Sequence, residues 1–150
     1  MDLALYILMR NDIRSMSTGR CMAQASHASN AFIKSFGKNK LVNAWQKQTS
    51  QGFGTAIVLS VNLSEIIHLQ TICKSHGYIF DKVIDPEYSY IVSGEIYPYL
   101  DPLSQVRPAI PKSENGDMLV FRKEITCAYA FGDRDDEMFK SAFSKYNLYA

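Results

Sequence analysis

Apolar positions recur along the chain with two different periods, and these periods predict its secondary structure. Short apolar runs, several rich in β-branched residues, predict strands at residues 3–9, 55–61, 78–84 and 124–131. Apolar residues repeating every three or four positions predict helices at about 17–36 and at 41–47. A third helix is expected to be capped by Asn62 or Ser64 and to end at Gly77, and a final one to be capped by Asp133 or Asp135.

The order of these elements predicts the fold class. Strands that alternate with helices indicate an α/β protein, here a three-layer α/β/α sandwich with a mostly parallel, mixed sheet of about four strands. Between residues 91 and 123 the pattern changes, because short apolar runs at 91–92 and 118–121 flank several prolines and a turn-like sequence at 114–117. We interpret about 90–124 as a β-hairpin-like insertion within a single domain, 1–150.

Composition restricts the classes of function. A chain of 150 residues with 47% hydrophobic and 21% charged residues can bury one ordinary core. Its net charge of +1 gives no overall field that would attract nucleic acid, so any RNA contact requires a local basic patch. Scattered solubilising charge is the alternative explanation for the candidates for such a patch, which are Arg10, Arg14, Arg20, Lys34, Lys38 and Lys40.

The cysteines and the apolar runs give further expectations. Three cysteines at positions 21, 73 and 127 are too far apart for a metal knuckle, and we expect reduced core residues with no disulfide. No metal site or cofactor is expected. No run is long enough for a signal peptide or a membrane span, so the sequence predicts a cytoplasmic protein without membrane contact.

The first long helix is predicted to carry two kinds of side chain on separate faces. An α-helix turns about 100° per residue, so Arg20, Gln24 and His27 fall within roughly 60° of one another. An ordinary amphipathic surface helix would show the same periodicity. A separate apolar stripe about 120° away consists of Cys21, Ala25, Ala28 and Phe32.

The start of this helix is a candidate anion site. Ser17 or Thr18 is a plausible N-cap, and Gly19 lets another group approach the backbone closely. Free N–H groups and the helix dipole favour a phosphate or a developing oxyanion at such an end.

Several segments together resemble one enzyme family, the type II peptidyl-tRNA hydrolases of archaea and eukaryotes. The resemblance covers most of the chain and follows the family order of a first strand, a Gly-Arg helix start and a last strand that runs into glycine. The matching segments are Met9-Arg10-Asn11-Asp12-Ile13, Gly19-Arg20, Ala23-Gln24-Ala25-Ser26-His27-Ala28, Val83-Ile84-Asp85, Ile125-Thr126-Cys127-Ala128-Tyr129-Ala130-Phe131-Gly132 and Lys145-Tyr146-Asn147-Leu148-Tyr149.

The resemblance implies metal-independent hydrolysis of the ester of peptidyl-tRNA or a related N-blocked aminoacyl-tRNA, with tRNA as partner and a homodimer as assembly. Such a reaction requires an activated water, a donor for the oxyanion and contacts to the nucleic acid. The catalytic candidates are His27, Asp85, Thr126 and Ser89. The substrate-binding candidates are Arg10, Thr18, Gly19, Arg20 and Gln24.

Three of the four catalytic candidates also have a simpler explanation. Asp85 is followed by proline, and that pair commonly starts a turn. We nevertheless expect Asp85 at the carboxyl end of a strand, where ligands of open α/β sheets bind. A lone helical histidine such as His27 is often structural, and Thr126 is also a residue that strands favour.

Two departures from the family leave a second function open. Thr18 stands where the family normally has a lysine, and the family's compact link before the last strand is expanded to about residues 90–124. A catalytically silent tRNA- or nucleotide-binding module on the same scaffold is therefore the alternative function, and a role in self-association alone is a third one.

Overall fold

A computed structural model describes residues 1–92, 105–111 and 118–150 of the chain. Its contacts divide the chain into two compact units. The first unit comprises Met1–Val83 and Thr126–Ala150, and the second comprises Ile84–Ile125. The turn predicted at residues 114–117 lies outside the described residues, and the single domain stays a prediction.

Nine helices and strands are described, and two strands pass from one unit into the other. The strands are β1 (Leu3–Arg10), β2 (Thr55–Val61), β3 (Ile79–Val92), β4 (Gln105–Pro111) and β5 (Met118–Asp133). The helices are α1 (Thr18–Phe36), α2 (Lys40–Gln46), α3 (Leu63–His76) and α4 (Glu137–Phe143).

The first unit is built on a mixed sheet in the order β2-β1-β5-β3. β1 pairs parallel with β2 and antiparallel with β5. Because side chains alternate along a strand, β1 directs Leu5 and Ile7 into one core and Leu8 into a second core. Residues of α1 and α2 complete the first core and residues of α3 and α4 the second. The predicted α/β class, with helices on both sides of a mixed sheet, is confirmed, but the sheet is not mostly parallel, because the pairings of β5 with β1 and with β4 are both antiparallel.

Aromatic side chains fill both cores. Phe32 of α1 packs edge-on against Trp45 of α2, with ring centroids 5.6 Å apart, and lies 5.1 Å from Phe131 of β5. On the other side Tyr6 stacks on Phe143 of α4 at 4.9 Å. These contacts fix α1 and α4 against opposite faces of the sheet.

The ends of α1 and α3 follow the sequence prediction. Ser17 caps α1, and Asn62 forms a capping box with Glu65 at the start of α3. α3 ends at Gly77, whose φ of +72° is the left-handed conformation that glycine adopts without strain.

The predicted cap of α4 is wrong by one to three residues. Asp136 caps this helix, and its carboxylate accepts from the backbone N–H groups of Met138 and Phe139. Asp133 instead accepts from the backbone N–H groups of Asp2 and Asp135. Any of these aspartates is a suitable capping residue. The folded backbone decides where the helix begins, and so which carboxylate faces its free N–H groups.

Three strand predictions also need correction. The strand predicted at 78–84 continues to residue 92, so Asp85 lies within β3 and not at its end. The apolar runs at 118–121 and 124–131 belong to one strand, β5, and β4 was not predicted. The local turn preference of Asp85-Pro86 is a weak signal that pairing in a sheet overrides.

The second unit contains the part of β3 from Ile84 onward, the whole of β4, and the part of β5 up to Ile125. β4 pairs antiparallel with β5. In this unit Glu124 is buried and accepts hydrogen bonds from Tyr90 Oη at 2.6 Å and from Arg122 Nη2 at 2.7 Å. Burial and the Glu124 carboxylate together raise the pKa of Tyr90, so this hydroxyl stays protonated and donates to the buried carboxylate, whose charge the Arg122 guanidinium balances.

Candidate functional site

The start of α1 is open to solvent, as an anion site requires. Ser17 has extended backbone, and its hydroxyl accepts from the backbone N–H of Arg20 at 3.4 Å. Thr18 and Gly19 are exposed, and a Cβ built on Gly19 would meet no described atom within 4 Å. An anion therefore has room to approach the free N–H groups at this end of the 19-residue helix.

Gln24 lies on the buried face of α1 and not on a solvent-facing polar face. Its Oε1 accepts a 2.6 Å hydrogen bond from Thr126 Oγ1 of β5, and its backbone oxygen accepts from Cys127 Sγ at 3.5 Å. The exposed fraction is 5% for Gln24 and 0% for Thr126. The pair holds α1 on the sheet, and Thr126 has no surface with which to touch a substrate.

Arg20 and His27 share the outer face of α1. Arg20 is half-buried and His27 is exposed. Two helical turns separate them, so their Cα atoms are about 10 Å apart along the axis. Thr18 is rotated by roughly 160° from Arg20 around the helix and belongs to the opposite face. Thr18 and Arg20, two of the predicted binding residues, therefore lie on opposite faces of α1 although both are near its start.

Arg10 is not presented to solvent. It is 6% exposed and holds Asp12 with two hydrogen bonds, from Nε at 2.7 Å and from Nη2 at 3.0 Å. Asp12 also accepts from the backbone N–H of Leu63 at the start of α3. Although partial burial acts to raise it, the bonds from Arg10 and Leu63 hold the pKa of Asp12 below its ordinary value. This ion pair fixes the loop between β1 and α1 to α3.

Asp85 and Ser89 both lie on β3 in the second unit. Asp85 is half-buried, and its Oδ1 accepts from the backbone N–H of Glu87 at 3.0 Å, which fixes the orientation of the carboxylate. Ser89 is four residues further along the same face of the strand, roughly 13 Å away at the rise of an extended chain. One small reacting group cannot contact both side chains directly.

The three cysteines are buried, as predicted. Burial raises the pKa of Cys73 and of Cys127 to about 12 in each case, so both remain thiols at neutral pH. The Cys21 thiol donates to the hydroxyl of Tyr149 at 3.0 Å.

Within residues 1–92, 105–111 and 118–150, no group of three or more histidine, cysteine, aspartate or glutamate side chains is placed to hold a metal ion. Of the helices in this part of the chain, none is both long and apolar enough to cross a membrane.

Sequence patterns did not reveal two features. The segment before the final residue pairs with the edge of β2, through bonds from Ser60 N to Asn147 O and from Tyr149 N to Val58 O, both 2.9 Å long. This tail forms one wall of an apolar pocket beside Thr18. The burial of Glu124 is the other feature, because the sequence around a single glutamate does not show which side chains will pair with it.

Comparison with known proteins supports the resemblance. The model of the family described as peptidyl-tRNA hydrolase PTH2 matches residues 3–97, more than half of the chain. No curated protein matched. A solved structure of a protein of unknown function from Agrobacterium tumefaciens is similar in fold, with a TM-score of 0.51 at 8% identity over 100% of this chain and 99% of that one. The matched residues include the start of α1 and Asp85, and the chain belongs to the peptidyl-tRNA hydrolase PTH2 family.

Proposed function

We propose that this protein hydrolyses the ester bond of peptidyl-tRNA, or of a related N-blocked aminoacyl-tRNA, without a metal ion and releases free tRNA. The observation that carries the proposal is the family match, which spans the α1 start and Asp85. The exposed N–H groups at that start could receive an anion, as the reaction requires of one part of the site.

The described residues support distinct roles in this proposal. Asp85, held by the Glu87 amide, orients or deprotonates the attacking water. His27 exchanges protons, Arg20 binds a phosphate, and the α1 start stabilises negative charge.

The remaining candidates act differently. Ser89 supplies a hydroxyl from the same strand as Asp85. The buried pair of Gln24 and Thr126 acts as positioning residues for α1, and Arg10 positions the preceding loop.

A deacylation assay tests the proposal. Purified protein is incubated with N-acetyl-aminoacyl-tRNA in the presence of a metal chelator, and release of the acyl group is followed. We expect release at a rate proportional to protein concentration and unchanged by the chelator. A rate equal to that of buffer alone, with folded protein, would contradict hydrolysis, and loss of activity only with the chelator would contradict the metal-independent mechanism.

The silent binding module is the second candidate, because Thr18 supplies no charge at the exposed helix start. If a cation there assists catalysis, Thr18→Lys should raise the single-turnover deacylation rate about tenfold, through added stabilisation of negative charge. Thr18→Gln is the control for side-chain length without charge. A rate with Thr18→Lys that does not exceed the Thr18→Gln rate would show that the cation has no role at this position.

Binding and turnover can be separated on the outer face of α1. Arg20→Ala should weaken tRNA binding and reduce the slope of log affinity against log salt by about one, since one phosphate contact is lost. His27→Ala should instead lower the deacylation rate by about a hundredfold with little change in affinity.

Titrations at two salt concentrations and single-turnover kinetics measure both effects. Lys74→Ala, on an exposed lysine of α3, is the control for loss of a positive charge elsewhere. Unchanged affinity, salt slope and rate in folded variants would remove this face from the site. In a silent module only the Arg20 effect would be present.

The homodimer and the cytoplasmic location rest on the resemblance and the sequence composition, and we retain both as proposals. Sedimentation velocity over a range of protein concentrations tests the dimer.

A further inference from the structure

The first unit contains an apolar pocket of about 470 Å³ beside the start of α1. Its walls come from the strands β1 and β2, the loop before α1, one face of α1 and the tail that pairs with β2. The apolar lining includes Met9, Met16, Met22, Ala25 and Val58. A pocket of this volume accommodates a group of the size of a large amino-acid side chain.

The polar groups of the pocket do not require a charged ligand. None of the nine described lining residues has a charged side chain. The Cys21 thiol and the Tyr149 hydroxyl bond to each other, and the Tyr149 backbone N–H bonds to Val58. A charged group entering this pocket would give up its hydration without gaining an oppositely charged side chain among the lining residues, whereas the transfer of an apolar group from water into the pocket is favourable.

The lining also suits ligands of varied shape. Three of its residues are methionines, whose flexible and polarisable side chains adapt to different apolar groups. Met22 is 69% exposed, so an apolar residue is held at the rim in contact with water. An apolar group that enters the pocket would cover the Met22 side chain, and removal of this apolar surface from water favours binding.

We propose that this pocket binds the apolar side chain of the amino acid that is esterified to tRNA and so gives the enzyme a preference for apolar over charged residues at that position. The inference rests on the proposed function for the identity of the substrate. Thr18 connects the candidate anion site with the pocket, because it lies at the exposed α1 start and also lines the pocket. An acyl group whose ester lies at that start is within a side chain's length of the pocket.

The first experiment compares substrates that differ only in this side chain. One tRNA is charged with N-acetyl-phenylalanine, N-acetyl-leucine or N-acetyl-aspartate, and kcat/KM is measured for each. We expect the two apolar substrates to exceed the aspartyl substrate by about tenfold to a hundredfold. Met22→Asp should abolish most of this preference, whereas Met22→Leu and Ile33→Asp, a charge on the same helix outside the pocket, should retain it. Equal kcat/KM values for the three substrates would overturn the inference while leaving the proposed function intact.

The second experiment does not depend on turnover. The methyl signals of the methionines are followed by NMR during titration with N-acetyl-phenylalanine amide and, separately, with N-acetyl-aspartic acid amide. We expect saturable shifts of Met9, Met16 and Met22 with the first probe only, and no shift of Met1 or Met138, which are exposed elsewhere.

The two readouts separate two kinds of failure. Selective shifts in a protein that does not hydrolyse acyl-tRNA would support the pocket and contradict the proposed reaction. Absence of shifts with both probes would overturn the inference. Shifts of the pocket methionines that change with protein concentration alone would also overturn it, because a second copy of the chain would then be the occupant.

Discussion

Asp85→Asn should lower the single-turnover rate of deacylation by about a hundredfold to ten-thousandfold, the range over which a positioned acid or base contributes. Asparagine retains an oxygen that can accept from the Glu87 amide, as the Asp85 carboxylate does at 3.0 Å, so the local backbone should not change. Only the negative charge and the capacity to take a proton are lost. The affinity for tRNA is expected to stay within about twofold, since Asp85 makes no favourable contact with phosphate.

Glu87→Gln is the matched control for this prediction. Glu87 is exposed and lies two residues from Asp85 on the same face of β3, so the variant removes one carboxylate from the same surface. We expect its deacylation rate to be close to that of the unmodified protein. Equal losses in the two variants would indicate a general effect of surface charge, and full activity of Asp85→Asn would remove Asp85 from the mechanism.

Thr126→Val should lower the free energy of unfolding by roughly 1–3 kcal/mol, because it removes the hydrogen bond that the Thr126 hydroxyl donates to the buried Oε1 of Gln24. The two atoms are 2.6 Å apart, and neither side chain has more than 5% of its surface exposed. Chemical denaturation with a two-state analysis measures the change. Thr55→Val, on an exposed position of β2, is the control and should change stability by less than about 0.5 kcal/mol.

A double-mutant cycle shows whether the two residues act as a pair. If they do, combining Thr126→Val with Gln24→Leu should cost less than the sum of the single losses, because the loss of their shared hydrogen bond is counted in both single variants. Additive losses would show that the bond contributes nothing of its own. A positioning role predicts in addition that Thr126→Val lowers kcat more than it changes KM, since a small shift of α1 misplaces the exposed N–H groups at its start.

The resemblance to the family could be found in the sequence because each of its matching segments is a short run of adjacent residues. The helix start at Gly19-Arg20 and the segment from Gln24 to His27 are read from local spacing, and α1 begins within one residue of the predicted position. Which of these side chains face solvent could not be read in the same way. A glutamine is polar at every position of a sequence, and the hydrogen bond from Thr126 on β5, which local spacing does not reveal, helps to make a buried site favourable for Gln24.

Arg10 shows that the sequence likewise does not reveal whether a charged side chain faces solvent or is paired within the protein. A basic residue at the end of a strand suggests a phosphate ligand, yet Arg10 is 6% exposed and paired with Asp12. Sequence identifies the charge but not whether another part of the chain neutralises it. The apolar pocket is a further case, because residues from four separate segments line it and no local pattern connects them.

By itself, the sequence determined the α/β class, the helices and most of the strands of the first unit, and the family, because hydrophobic periodicity, caps and motifs are local properties of the chain. Tertiary structure decided the extension of β3 past Asp85-Pro86, the burial of Gln24 with Thr126, the pairing of Arg10 and the pocket beside Thr18. Except for the pair of Arg10 and Asp12, which are two residues apart, each of these depends on partners far apart in the chain, and their contribution outweighs local preferences once the sheet brings them together.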